Sequence, residues 1–216
     1  RRCCCSLLPF AYENDMIQTT ESGPLYRLRL ARKDLGVALV VLLALAAGML
    51  LRLQVEGRTR QFQDANSPFR ITYPASWNEA STLQDTLLNV ADPLTDSAYK
   101  TNLIVEARDI DPASPPDMQT LLDRRVEQRA ALTGYHFLSN RDVTVNGVNG
   151  SVIEYAYVVQ PIDQPRRPSL PVVVQAREYI VAAKDRVYYM TLAAPQAAFE
   201  AASAQFDGII QTVQIQ

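Results

Sequence analysis

One stretch limits what this chain can become. From Leu35 to Leu51 it reads LGVALVVLLALAAGMLL, without a charge or a strong hydrogen-bonding side chain. As a helix rising about 1.5 Å per residue it spans about 25 Å, slightly short of a ~30 Å hydrocarbon core. Arg52 can draw its head to the interface while Leu53 and Val55 extend the apolar surface, so the shortfall is tolerable. A core helix carries a polar stripe; this stretch is apolar all round, which points to lipid. Ala44-Leu45-Ala46 has the small-x-small form of a signal-peptide cleavage site. The apolar run nevertheless continues through Gly48, Met49, Leu50 and Leu51, and the tail before it is long, so an uncleaved signal anchor is expected. Arg27, Arg29, Arg32 and Lys33 crowd its N-terminal flank, whereas Arg52, Arg58 and Arg60 are more widely spread beyond it. That bias places the N-terminus in the cytoplasm and the larger C-terminal part outside it, in a single-pass cell-membrane protein. Ala44 and Gly48 form a small-x-x-x-small face suited to packing on another membrane helix. The expected partners are therefore the lipid bilayer and membrane-protein subunits.

The chain then divides into a tail, 1–34, a transmembrane helix, 35–53, a polar linker, 54–67, and an extracytoplasmic domain, 68–216. The sequence opens on Arg1-Arg2, and Met16 offers a start that would leave 1–15 outside the native protein. Its three cysteines are consecutive, Cys3, Cys4 and Cys5. If native they are candidates for S-acylation near the membrane or for metal capture; an accident of the frame boundary explains them more simply. The domain itself has no cysteine, so its stability must come from packing, and zinc–cysteine sites, iron–sulfur clusters and haem attachment are excluded from it. A net charge of -2, with no basic stripe interleaved with aromatics, argues against nucleic acid as a partner.

Along the domain, Phe69, Ile71 and Tyr73 alternate with Arg70 and Thr72, a half-buried strand stopped at Pro74. Trp77, the sole tryptophan, follows in a Pro-Ala-Ser-Trp corner and reads as a core plug. Leu87–Ala91 and Leu103–Arg108 read as further strands around an Asp92–Lys100 loop. Asp111–Asp117 (DPASPPD) is a breaker cluster that ends in a helix N-cap at Asp117. Met118, Leu121, Leu122, Val126, Ala130 and Leu132 make the helix's apolar face, the charge run DRRVEQR its solvated one, and Gly134 its stop. Phe137–Val145 and Ser151–Gln160 form a hairpin around Asn146-Gly147 and Asn149-Gly150. Val172–Ala182 and Arg186–Ala193 form another around Lys184-Asp185. After Pro195, Phe199, Ala202, Phe206, Ile209 and Ile210 share one face of a final helix, and Thr212–Ile215 reads as extended. The order β-β-β-α-β-β-β-β-α, dominated by hairpins, predicts an α+β domain with an antiparallel sheet and helices packed on it.

Two motifs carry a resemblance. Phe69-Arg-Ile-Thr-Tyr-Pro-Ala-Ser-Trp77 resembles the F-x-I-x-Y-P-x-x-W opening of PsbP-like domains. Tyr188-Tyr-Met-Thr-Leu-Ala-Ala-Pro195, with Phe199-Glu200 and Phe206 to Thr212, resembles their closing strand and helix, and the Val143–Gly150 turn falls where that family has a strand ending in V-x-G. The similarity runs from Phe69 to about Val213. It implies an α/β/α sandwich around a central antiparallel sheet, the fold shared with a nuclear Ran-release factor, here preceded by one transmembrane helix. It also implies a non-enzymatic docking role on a larger assembly, photosynthetic or electron-transfer in kind. Photosystem members are extrinsic proteins of the lumen, whereas this chain carries its own apolar stretch.

Catalytic chemistry is poorly provided for. His136 is the one histidine, placed at a strand start and read as structural or exposed. There is no G-x-S-x-G elbow, no H-E-x-x-H, no P-loop and no G-x-G-x-x-G, so neither a catalytic residue nor a cofactor or metal ligand is assigned. Asp109, Asp111 and Asp117 lack the spacing of a calcium loop and are read as caps and turns. The proline-rich segment Pro161–Pro171 is the better surface candidate, because prolines stiffen it and project Arg166 and Arg167 at low entropic cost. Arg166, Arg167, Ala44 and Gly48 are thus the expected partner-binding residues. The expected function is that of an accessory or docking subunit of a membrane complex. The alternative is an envelope-anchored binding protein for a lipid or small molecule, which asks for an apolar pocket between sheet and helices.

Overall fold

The β-rich half of the sequence folds by alternation. In a strand, successive side chains face opposite ways, so a run apolar on both parities must be covered on both faces. A computed structural model describes residues 32–80, 86–160 and 170–215, the side chains of 32–35, 53, 55 and 56 apart. Its elements are α1 (Arg32–Glu56), β1 (Thr59–Gln63), β2 (Arg70–Pro74), β3 (Asn78–Glu79), β4 (Thr86–Ala91), β5 (Asn102–Asp109) and α2 (Met118–Ala130), then β6 (His136–Val145), β7 (Val148–Val159), β8 (Val172–Ala182), β9 (Arg186–Pro195) and α3 (Phe199–Ile210). Seven strands form one antiparallel sheet in the order β3-β4-β5-β9-β8-β7-β6, and β1 and β2 form a separate ribbon. The domain is α+β, as expected.

The central strand β9 shows how the layers arise. Tyr188, Met190 and Leu192 join a core with Phe206, Ile209 and Ile210 of α3 and with Phe69, Ile71 and Tyr73 of the ribbon. Their neighbours Val187, Tyr189 and Ala193 join a second core with Leu121 and Leu122 of α2. The sheet therefore carries α3 and the ribbon on one face and α2 on the other. Each fully buried large apolar side chain in these cores contributes roughly 1.5–3 kcal/mol. Phe69 stacks on Tyr188 with ring centroids 4.8 Å apart, which fixes the ribbon on its face. Trp77 is buried in the same core. On α3, Asp207 accepts from Arg177 Nη1 at 2.9 Å and from Tyr179 Oη at 3.1 Å, while Arg177 Nε reaches Glu154 at 2.8 Å.

Local chemistry explains the ends. Asp117 caps α2 by accepting from the Thr120 amide at 3.3 Å. The helix closes at Ala131, and Gly134, expected as its stop, instead takes φ +64 in the turn leading to β6. Asn146 (φ 47) and Gly147 (φ 83) make the two-residue turn between β6 and β7, both in the left-handed region that a hairpin of this length requires. The Asn146 amide also donates to the Val213 carbonyl. Asn149-Gly150, expected beside them in the turn, lies inside β7: Gly150 pairs with Val143 and Val181, and a Cβ there would meet the Ile180 carbonyl oxygen at 2.6 Å. The C-terminal segment is extended and pairs with the ribbon through Arg70 and Gln214, whose amides and carbonyls exchange bonds of 2.9 Å.

Three expectations need correction. The stretch 54–67, read as a linker, holds β1, which pairs with β2 in the register Phe62↔Ile71. TRQFQ is too polar to announce a strand, and only its pairing and the partly buried Phe62 make it one. The DRRVEQR run is not wholly solvated, since Arg125 is 3% exposed. Finally α1 begins earlier than residue 35, at Arg32. Its described side chains run only from Gly36 to Arg52, apart from Gln54, about 25 Å of helix. Among the described residues no helix is long and apolar enough to cross a membrane.

Candidate functional site

The face beneath α2 holds the greatest concentration of charge inside the domain. Glu178, fully buried on β8, accepts from Arg125 Nε at 2.6 Å, from Arg129 Nε at 3.2 Å and from Tyr155 Oη at 3.3 Å. Arg125 Nη2 also reaches Glu106 on β5 at 2.9 Å, and its guanidinium lies 4.3 Å from the centre of the Tyr189 ring. Burial pushes the Glu178 carboxyl up, but the Arg129 and Arg125 guanidinium groups and their hydrogen bonds outweigh it and hold the group below its usual range. Burial likewise pushes the Tyr155 phenol well up, with Glu178 adding to it. Two guanidinium groups meet two carboxylates, so the cluster is neutral and closes on itself. It positions α2 on the sheet.

Sequence reasoning missed this cluster, though a signal existed. Val172, Val174, Ala176, Glu178, Ile180 and Ala182 share one parity of β8, and Glu178 is the only charge among them. Arg125 and Arg129 follow Leu121 and Leu122 at helical spacing, on the same buried side.

The end of the sheet where β9 and β5 meet the loop 92–101 is different. Here apolar side chains face solvent. Leu94 is 78% exposed and Leu170 85% exposed. A depression of about 460 Å³ is lined by Thr95, Asp96, Ser97, Pro171, Val172, Val173 and the turn Pro195–Ala198. The loop holding Leu94 outward is tied down from within. Asp92 Oδ1 accepts from the Leu94 amide at 2.9 Å, the Thr101 amide donates to Thr95 Oγ1 at 3.2 Å, and Lys100 Nζ donates to the Thr95 carbonyl at 2.6 Å. Thr95 and Thr101 are buried. Further along this end, Leu138 falls at a register break in β6, between Phe137, which pairs with Tyr155, and Ser139, which pairs with Glu154. β6 is the edge strand and is exposed from His136 to Asp142, and Leu138 and Phe137 on it are both more than a third exposed.

The expected partner-binding residues fare unequally. Arg166 and Arg167 lie outside the described residues. Ala44 and Gly48 are exposed on α1, and a Cβ at Gly48 would meet nothing within 4 Å. His136 opens β6 in an exposed position, opposite Ala156. Of the three aspartates near the prolines, Asp109 pairs with Arg186 at 2.8 Å, Asp111 accepts from the Ala113 amide at 2.9 Å, and Asp117 caps α2. Among the described residues no group of three or more His, Cys, Asp or Glu side chains is placed to hold a metal.

The sequence matches no family model and no curated protein. Solved structures do share the fold. The solution structure of cyanobacterial PsbP (CyanoP) from Synechocystis sp. PCC 6803 superposes with a TM-score of 0.54 at 11% identity, covering 73% of this chain and 92% of that one. The crystal structure of LpqN, a protein involved in cell envelope biogenesis of Mycobacterium tuberculosis, gives 0.51 at 12% identity over 74% and 92%. At such identities the likeness shows the fold alone, and that fold is the PsbP-like one expected from the opening and closing motifs.

Proposed function

We propose that this chain is a single-pass membrane protein whose C-terminal domain lies outside the cytoplasm and serves, without catalysis, as an accessory or docking subunit of a membrane complex. The observation that carries the reading is the apolar surface of α1. Val37, Leu39, Val40, Val41, Leu42, Leu43 and Leu45 point in every direction around the helix, and each is at least half exposed. Water penalises such a surface at about 25 cal/mol per Å², so it requires lipid or protein around it. Leu35 and Leu53 flank the described run and bring it closer to a bilayer's thickness.

A second apolar surface, at the end of the sheet, gives the domain a means of docking. Leu94, Leu170 and Val173 are displayed beside a groove whose rim is held by internal hydrogen bonds, so binding there costs little ordering of the loop 92–101. Leu170 continues directly from the proline-rich segment bearing Arg166 and Arg167. A partner with an apolar knob and an acidic rim would suit both. The likeness of fold to LpqN, itself involved in cell envelope biogenesis, fits a role at the envelope. For a binder of lipid or small molecules the described depressions offer open surface sites, and both layers between sheet and helices are filled by the two cores. Docking therefore comes first.

The test is affinity capture of the full chain, tagged at its C-terminus, from membranes solubilised in mild detergent. A stoichiometric set of membrane subunits, photosynthetic or electron-transfer in kind, is expected to travel with it. The double variant Leu94→Glu/Leu170→Glu should lose them with its thermal midpoint unchanged, since both side chains already face water. Wild type captured alone would sink the docking role.

A further inference from the structure

A groove of about 260 Å³ lies between the β1–β2 ribbon and α3, lined by Gly57, Arg58, Thr59, Thr72, Gln205 and Thr212 among others. None of its lining residues is acidic. Arg58 is exposed and has no carboxylate partner among the described residues. Its backbone is fixed, because its carbonyl accepts from the Ala75 amide at 2.9 Å. The opposite wall is fixed as well: Thr212 Oγ1 accepts from the Thr72 amide at 3.0 Å and donates to the Ile209 carbonyl at 2.7 Å. The groove is thus a preformed notch of mixed lining, with threonine side chains in its walls and one cation at its lip.

Its place in the chain suggests what enters it. Gly57 follows directly on the last residue of α1. If the run ending near Leu51 lies in hydrocarbon, Arg52 marks the interface; the helix runs about 6 Å on to Glu56, and two residues beyond its end lead to Arg58, adding at most about 7 Å. A bilayer of about 30 Å of hydrocarbon and about 40–45 Å overall has headgroup layers of roughly 5–8 Å. The chain length from Arg52 therefore keeps Arg58 within reach of the headgroup layer. We infer that this notch holds the phosphate headgroup of an anionic phospholipid, gripped by the Arg58 guanidinium, with the Thr59 and Gln205 side chains beside it as further donors. The inference rests on the membrane-spanning reading of α1.

The experiment uses the full chain reconstituted into nanodiscs of phosphatidylcholine and phosphatidylglycerol, released into detergent and weighed by native mass spectrometry. Wild type should retain phosphatidylglycerol in preference to phosphatidylcholine. Arg58→Glu changes two charges, each worth roughly fivefold near an anionic surface, so retention should fall by more than tenfold. Arg124→Glu, the same change at an exposed position on α2, should leave it intact. Equal retention by wild type and Arg58→Glu overturns the inference, and so does an equal fall in both variants, which would reduce it to overall charge. Inorganic phosphate serves as the competitor: a wild type that binds phosphate yet shows no preference for phosphatidylglycerol has a free-anion site, and the lipid assignment fails. A chain that does not enter nanodiscs at all refutes the spanning reading itself, and this inference with it.

Discussion

Glu178 is the residue on which the face beneath α2 turns. A carboxylate with no exposure is costly to bury, and here the cost is offset only because Arg125 and Arg129 both reach it, with Tyr155 donating a further hydrogen bond. Such pairs are asymmetric: removing one member leaves an uncompensated charge, whereas replacing both with apolar side chains of similar volume is often neutral. Glu178→Ala is therefore expected to destabilise the domain by about 3–5 kcal/mol. Arg125→Met/Glu178→Leu should recover most of the loss, because Arg129 and Glu106 remain 3.6 Å apart and can pair with each other. Urea midpoints of the full chain in mild detergent measure both. A double variant as unstable as the single one would mean that the cluster contributes net stability rather than only closing its own charges.

At the scale of elements, α1 makes a plain prediction. An arginine at the centre of a membrane helix costs roughly 2.5–3.5 kcal/mol on insertion scales. Leu43→Arg should therefore move much of the protein out of carbonate-washed membranes, while Arg124→Glu on α2 leaves it there; equal retention of both would mean that α1 is not held by lipid. The elements also differ in how openly the sequence announces them. Strands β2 and β5 and the two helices of the domain place apolar residues at their own period, β9 is a near-continuous apolar run, and Asp117 and Asn146-Gly147 mark element ends with recognisable chemistry. That was enough to predict the α+β class; the resemblance to PsbP-like domains rested instead on the motifs Phe69–Trp77 and Tyr188–Pro195. What stayed hidden was built across the sequence. β1 exists only through β2, since a lone Phe62 in TRQFQ gives no period. Arg125 looks solvated within DRRVEQR until Glu178, on β8, is brought beneath it. Leu138 is exposed because β6 lies at the edge of the sheet, a position set by the whole topology that leaves no local trace. The exposed end of the sheet combines residues from near positions 94, 138 and 170, which no window along the chain places together.

For the whole domain, the ion cluster sets how stability depends on pH. The Glu178 carboxyl is below its ordinary value of about 4.5 in the folded state, despite burial, because of Arg129 and Arg125. Between that ordinary value and the lower folded one, the unfolded chain carries a proton at this position and the folded chain does not. Unfolding therefore takes up a proton, and stability falls as pH falls. Above about pH 5 the contribution is fully present; it declines on acidification through the folded value, by at most about 1.4 kcal/mol per pH unit for one proton. Arg125→Met/Glu178→Leu removes this group while keeping the apolar cores, so its thermal midpoint should decline less steeply than that of wild type between pH 5 and acid. Thermal melts of both proteins across that range decide the matter. Parallel curves would show that acid sensitivity arises elsewhere, from carboxylates such as Asp117, which its hydrogen bond from Thr120 also holds low. A steeper wild-type curve would make the contact between α2 and the sheet a part of the fold that acid loosens.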